Sequence, residues 1–474
     1  MGAANATASA FARVPLGAAP GAALCRNAAV WSLRALLAVV MFAWFAVTPP
    51  QAAHLTMTLE LGRRAIGLHE FGLGWLSAAI AHTVATASGP GGIAAVSGAS
   101  VVVALALVEF RARSRAGYVL SLFAGIAAAF GFLDVLHIGA GATSWFCAAA
   151  LLLLLDRARG FALVLGVAAV SILWSNLAPQ GILAPLLTGL VALGRTVDRG
   201  VRAPETRDGW LASIGSALAI LCTPAGIGFV TLASWGAHLH RVLSEVMPLG
   251  PDAIAPHAYY GMFFALVVAG AALGVARRTD ERLLLAAGLF LCLRDGGVAP
   301  LLGIIAAPIL VGSLVERAPH FFAEPPARAR LADGLIAGLT LVIIISIATT
   351  IRPRLQQTFK GDASYSLLQR YAAGDNRPHG IFCSVIAWCD YAVVLPTLRP
   401  LMDERVERSN PSTRKAQHDV ARVAKGWERT LASQHIDTVL THRSDALAAL
   451  LELSPHWSVV DARADAILFG REAQ

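Results

Sequence analysis

Clusters of arginine interrupt a chain that is otherwise strongly apolar. They comprise Arg111, Arg113 and Arg115; Arg157 and Arg159; Arg195, Arg199, Arg202 and Arg207; Arg277, Arg278 and Arg282; and Arg317, Arg328 and Arg330. The stretches between them are long enough for helices that cross a bilayer. Short arginine-rich loops are retained on the cytoplasmic side of a membrane. If all these clusters lie inside, every intervening stretch must leave and return. The segments 117–155, 160–194, 209–276 and 283–315 each read as two spans. Each has a polar break in its middle: "LDVLHIG", "SNLAPQG", a loop around 236–257, and "RDGGVAP".

Composition agrees with a polytopic helical membrane protein. Hydrophobic residues make up 56% of the 474 and charged residues 14%, with a mean hydropathy of +0.62. A soluble domain carries about 25% charged residues. The net charge of +8 comes with no basic stripe and no interleaved aromatics, which excludes a nucleic-acid partner. The partner expected from composition is the lipid bilayer.

The remaining spans follow from the same bookkeeping. A low-complexity head, 1–28, precedes a first apolar run over 29–48. The small residues of "VTPPQAA" would also suit a cleaved signal peptide, but the long basic head favours an uncleaved span. The second span covers 91–109 and the last 333–350. This gives about eleven spans, N-terminus inside and C-terminus outside. The stretch 50–89 is then an outer loop, in which "GLGWLSAAIAHTVATA" reads as a helix lying at the membrane surface.

This topology gathers polar groups at the outer mouth. They are Glu60, Arg63, Arg64, His69 and Glu70; Asp134 and His137; Trp174, Asn176 and Gln180; His238, His240, Arg241 and Glu245; and Arg294 and Asp295. Asp134 and His137 are three apart and share one face of a helix end. A paired aspartate would raise the histidine pKa and orient its ring, in outline a general-base or metal-ligand pair. The same pair would serve equally as a polar helix end before "GAG".

From 351 the composition changes to a small α/β domain. "GIFCSVIAW" (380–388), "YAVVLP" (391–396), "RPLMDERV" (399–406) and "IDTVLT" (436–441) read as strands. The stretches 418–435 and 444–453 read as helices, and 457–471 as a β-hairpin turning at Arg463–Ala464. Cys147, Cys222 and Cys292 read as packing residues. Cys383 and Cys389 would face an oxidising compartment, and a turn between them would permit a disulfide.

Several patterns resemble the GT-C class of membrane glycosyltransferases, in a divergent form. "LELGRRAIGLHEFGLGWLSAAI" (59–80) resembles a first-loop Gly-Arg helix followed by Glu-Trp-Leu, with Glu70 and Trp75 split by "FGLG". "ILWSNLAPQG" (172–181) resembles a Trp-x-Asn-Leu-His-Gly stretch without the histidine. "CTPAG" (222–226) resembles an Asn-Pro-x-Gly turn without its asparagine. "LMDERVE" (401–407) resembles an Asp-Gly-Arg strand end, with Glu404 for glycine.

The resemblance implies a transmembrane domain over 29–350 and a periplasmic α/β domain over 351–474, in a bacterial inner membrane. It implies transfer of a sugar from a polyprenyl-phosphate-linked donor, in envelope polysaccharide or glycolipid assembly. It assigns a carboxylate of the first loop to deprotonate the acceptor or to hold a divalent metal ion. Glu70, Asp134 and His137 are the expected catalytic group, with Arg294 and Arg64 holding phosphate. The loop 50–72 has no aspartate, and its carboxylates are Glu60 and Glu70. That departure supports a second reading, an inactive scaffold or assembly partner on the same fold. A transporter is the third; against it, Arg34 stands alone as an ionisable group well inside a span, and no inverted repeat is visible.

Overall fold

The structure is a computed structural model. It describes residues 31–43, 52–67, 74–88, 90–132, 140–232, 260–294, 298–317, 338, 363–374, 378–395, 397–402 and 411–472. The head, the loop around 236–257, the last span over 333–350 and the charged part of "LMDERVE" lie outside these residues, as do His69, Glu70, Asp134, His137 and Asp295.

The helical part comprises α1 (31–43), α2 (Ala52–Ile66), α3 (Trp75–Ser88), α4 (Pro90–Phe130), α5 (Ala140–Arg157), α6 (Gly160–Leu177), α7 (Leu183–Arg199), α8 (Pro204–Ala219), α9 (Ile227–Leu232), α10 (Tyr260–Val275), α11 (Thr279–Arg294) and α12 (Ala299–Arg317). Among the described residues, four helical stretches are long and apolar enough to cross a membrane: Ala95–Ala116, Gly160–Leu177, Pro179–Arg199 and Ala299–Arg317. Shorter apolar helices cover Trp31–Ala43, Leu120–Phe130 and Met262–Val275. The chain is a multi-pass helical membrane protein; a total of eleven spans goes beyond these helices.

Although helical throughout, α4 is not a straight rod. A Cβ added to Gly125 would lie 2.7 Å from the side chain of Glu109. Sixteen residues of straight helix would separate those positions by about 24 Å. The helix therefore doubles back in the region of its arginines, making two antiparallel arms. These arms are the second span and the first half of the pair expected over 117–155.

The described arginines of these clusters meet at one end of the bundle. Arg111 Nε donates to Asp156 Oδ2 at 2.6 Å, and Arg115 pairs with Glu281. Arg157 donates to the Phe110 carbonyl at 2.8 Å, and Arg195 to the Leu155 carbonyl. Asp198 accepts from the Thr279 amide at 2.9 Å, Asp208 from the Gly160 amide at 2.7 Å. Arg317 donates to the Gly274 carbonyl at 3.0 Å. Arg34 joins the same end, paired with Glu109 and donating to Ser121 at 3.0 Å. It is not an isolated charge within a span. Close helix approach makes these contacts: a Cβ on Gly194 would sit 2.3 Å from the Asp280 backbone.

The opposite end carries α2 and α3, packed together so closely that a Cβ on Gly62 would come 2.1 Å from the Ala78 carbonyl oxygen. It also carries the C-terminal sheet domain. That domain comprises α13 (Ala363–Gly374), β1 (His379–Cys383), α14 (Ile386–Val394), β2 (Leu398–Pro400), α15 (Pro411–Ala421), α16 (Trp427–Ser433), β3 (Thr438–His442), α17 (Ala446–Leu453), β4 (Trp457–Arg463) and β5 (Ala466–Arg471). The strand order is β2-β1-β3-β5-β4. The first three are parallel; β5 is antiparallel to β3 and β4. Alternating side chains fill two cores. Ile381, Leu440 and Leu468 pack with Leu367 and Tyr391 on one face; Phe382, Val439 and Phe469 pack with Leu431 and Leu451 on the other.

Three strand assignments are corrected. "RPLMDERV" is strand only as far as Pro400 among the described residues, and 403–406 lie outside them. "YAVVLP" is not a strand, because α14 runs through it, and "GIFCSVIAW" is strand only as far as Cys383. The switch from strand to helix brings Cys389 back to Cys383, and the two form a disulfide with Cα atoms 5.7 Å apart. The helix expected over 418–435 is two, broken at Gly426 with φ of 88°. The buried strand, the last helix and the terminal hairpin stand where the sequence puts them. On its outer side α14 packs against α2, and so holds the sheet domain on the bundle.

Candidate functional site

Three of the four motif stretches meet at the end that carries α2 and α3. Trp75 opens α3, and its indole Nε1 donates to Asn176 Oδ1 at 2.6 Å. Asn176 closes α6. Its Nδ2 donates to Ile172 O at 2.8 Å within the helix and to Cys222 O at 3.1 Å across it. The side chain thus joins the first loop, the α6 end and the "CTPAG" turn, and its donors and acceptor are used. A 3₁₀ turn, Pro179–Ile182, then reverses the chain. It fits against α6 because Gly181 has no side chain; a Cβ there would fall 2.4 Å from Ser175 Cα.

Beside this node lies a cavity of 570 Å³, lined by Trp75, Leu76, Ala169, Ile172, Leu173, Asn176, Cys222, Thr223 and Pro224. Its wall is apolar along α6 and polar at the node. Thr223 Oγ1 and the nearby Trp174 Nε1 and Gln180 Oε1 are buried with no hydrogen-bond partner among the described residues. An open apolar surface beside a few polar groups suits an amphiphile with a long chain and a polar head.

Of the residues picked from sequence, Arg64 is described in full. It lies on α2, half-exposed, and donates to Glu60 Oε1 at 2.9 Å. Arg63 holds the same carboxylate with bonds of 2.8 and 2.6 Å. Arg294 is the last residue of α11. Glu70, Asp134 and His137 lie outside the described residues. At the end of the bundle opposite the arginines, Gly74 accepts the Ala78 amide at 3.1 Å at the start of α3, and Gly131 abuts the Ala299 carbonyl at the start of α12.

The hydrogen bonds from Arg63, more than its partial burial, set the Glu60 carboxyl, which falls to about 2; Arg64 lowers it further. Glu60 is therefore ionised and tied to two guanidiniums. Its folded pKa lies below the ordinary 4.5, so its stabilisation is complete above that value and is lost as pH falls through about 2. The stability difference between the protein and Glu60→Gln is expected to be small and constant from pH 5 to 8. It should shrink as pH falls from 4.5 toward 2 in thermal unfolding. Among the described residues no group of three His, Cys, Asp or Glu side chains converges as metal ligands.

Sequence reasoning named Trp75 and Asn176 as members of separate patterns and missed that they touch. The signal was present only as the two motif fragments, 101 residues apart.

The three-dimensional arrangement has known counterparts. The archaeal oligosaccharyltransferase AglB of Archaeoglobus fulgidus, solved with an inhibitory peptide and a dolichol-phosphate, superimposes with a TM-score of 0.57 at 9% identity. The match covers 87% of this chain and 69% of that one. ArnT from Cupriavidus metallidurans, solved with undecaprenyl phosphate, gives 0.53 at 12% identity, over 96% of this chain and 99% of that one. The fold is of the GT-C type. A second structure of the A. fulgidus enzyme, with Zn and sulfate, matches the GT-C layout at 0.55 and 11% identity, over 86% of this chain and 68% of that one. No family model and no curated protein matches the sequence. The likeness is therefore one of fold.

Proposed function

We propose that the chain is a membrane glycosyltransferase that takes sugar from a polyprenyl-phosphate carrier at the face bearing α2, α3 and the sheet domain. That face is periplasmic and the membrane is the bacterial inner membrane. The arginine end and the N-terminus are cytoplasmic, and about eleven spans connect the two sides. The domains divide at 350. The product belongs to envelope polysaccharide or glycolipid.

The observation that carries the reading is the meeting of three GT-C-like stretches at Asn176, beside an open cavity whose lining suits a long-chain lipid. In the reaction, a carboxylate takes the proton of an acceptor hydroxyl. The hydroxyl oxygen bonds to the anomeric carbon as the bond from that carbon to the phosphate oxygen breaks. The polyprenyl phosphate leaves with the electron pair. Glu70 and Asp134 are the carboxylates assigned to the base or to a divalent metal ion, with His137 beside Asp134. Arg294 and Arg64 stabilise the leaving phosphate. A metal, when bound, would neutralise phosphate charge.

Photoreactive undecaprenyl phosphate added to the purified chain is expected to crosslink within 75–76, 169–176 or 222–224. Unlabelled undecaprenyl phosphate should compete. Crosslinks spread evenly over the apolar helices, without competition, would overturn the assignment. One observation favours the scaffold reading: Glu60, a first-loop carboxylate, is held by Arg63 and Arg64 and is not available as a base.

A further inference from the structure

None of the nine residues that line the cavity beside Asn176 carries a charge, and the polar groups at its closed end are already engaged. Both amide hydrogens of Asn176 are donated, to Ile172 O and Cys222 O, and its oxygen accepts the Trp75 indole. The indole has no second proton to offer. Thr223 Oγ1 is buried, out of reach of a molecule in the cavity. What faces the space is apolar side chain, together with the exposed thiol of Cys222.

The cavity opens sideways. α6 is among the helices long and apolar enough to cross the membrane. Ala169, Ile172, Leu173 and Asn176 fall on one of its faces, spaced by three and four residues in its last turns. The first three are exposed and Asn176 is buried. Over about 10 Å of helix, the wall passes from surface that meets lipid tails to the closed node. A molecule therefore reaches it from the bilayer core.

Resting on the carrier reading above, we infer that this cavity holds the head-proximal end of the polyprenyl chain and leaves the phosphate outside, so that it binds the carrier whatever its head, the uncharged alcohol included. A phosphate inside would give up its water with no cation and no free donor to replace it. Arg64 and Arg294, to which the phosphate is assigned, are not in the lining. The isoprenoid chain needs no partner of either kind. A subsite blind to charge holds the sugar-loaded carrier and the polyprenyl phosphate left after transfer equally well. The product then competes with the substrate for the same wall, and turnover slows as unloaded carrier accumulates.

Crosslinking of photoreactive undecaprenyl phosphate to 75–76, 169–176 and 222–224, in the full chain in detergent, tests this when the competitor is varied. Undecaprenol, which has the chain and no phosphate, should compete within about threefold of undecaprenyl phosphate, less than the roughly fivefold that one cation near a headgroup contributes. Phosphatidylglycerol should compete far less than either. Ala169→Phe fills the wall without altering charge and should lower crosslinking of the probe several-fold. Ala169 is exposed, so the variant is expected to fold, and its thermal midpoint checks that. Competition by the phosphate without the alcohol would overturn the inference and leave the carrier reading standing. Competition by phosphatidylglycerol equal to that of undecaprenol would overturn it as well, since the wall would then accept any hydrocarbon chain. So would full crosslinking in folded Ala169→Phe protein. Competition by neither isoprenoid would remove the carrier reading itself, and the inference with it.

Discussion

Arg111→Met is expected to destabilise the protein by about 3 to 5 kcal/mol, the usual effect of removing one partner from a buried ion pair. Arg111 is 6% exposed at its side chain and Asp156 23%. Removing the guanidinium leaves the partly buried carboxylate at the end of α5 without its hydrogen-bonded cation. Asp156→Leu alone strands the arginine instead. The double variant Arg111→Met with Asp156→Leu leaves neither charge behind and should regain most of the loss. Thermal unfolding of all four proteins in one detergent closes the cycle. If the double variant loses as much as the two single ones added together, the pair is not coupled. The arginine end would then be a set of separate surface charges and not a connected lattice of helix ends.

In the proposed enzyme, Glu70→Gln or Asp134→Asn is expected to lower the yield of glycan at least about 100-fold, the scale on which a positioned acid or base contributes. Each change keeps the shape of the side chain and removes its charge. Protein level must be unchanged, and the readout is the envelope glycan of the strain that carries the variant. Loss with Asp134→Asn alone would place the reacting carboxylate beside His137; loss with Glu70→Gln alone would place it in the first loop. Wild-type glycan with both, in a strain where deletion of the gene abolishes it, would establish the scaffold reading.

The arginine pattern made the two-ended layout legible. Retention of basic loops on one side acts on each loop separately, so its trace survives in the linear sequence. Arg111, Arg157, Arg195 and Arg317 were placed on one level by that rule, and their hydrogen bonds put them there. The tail was less legible. "VIAWCDYAVV" is rich in β-branched and aromatic residues, which favour strands. It is helical because α14 is braced on three sides: a disulfide at Cys389, the sheet beneath Tyr391, and α2 outside. None of those constraints is local. The same holds for the site. Trp75 and Asn176 each belong to a weak pattern, and only the folded chain brings the indole to the amide. The reversal within α4 was legible, since the Arg111, Arg113 and Arg115 cluster separates two expected spans; what was not legible is that the backbone stays helical through it, because its arginines and serine favour helix nearly as well as turn.

The packing of α14 on α2 sets an order on assembly. Residues 52–66 leave the ribosome early, and their partner, residues 386–394, follows some 320 positions later. At a synthesis rate of about 5 to 20 residues per second, that is an interval of roughly 15 to 60 s. Throughout it the whole helical bundle is threaded into the bilayer while the outer surface of α2 stays uncovered. That surface is sealed late, by a segment that carries one cysteine of the Cys383–Cys389 disulfide. The newly made chain thus carries an open first loop until its C-terminal domain has been made.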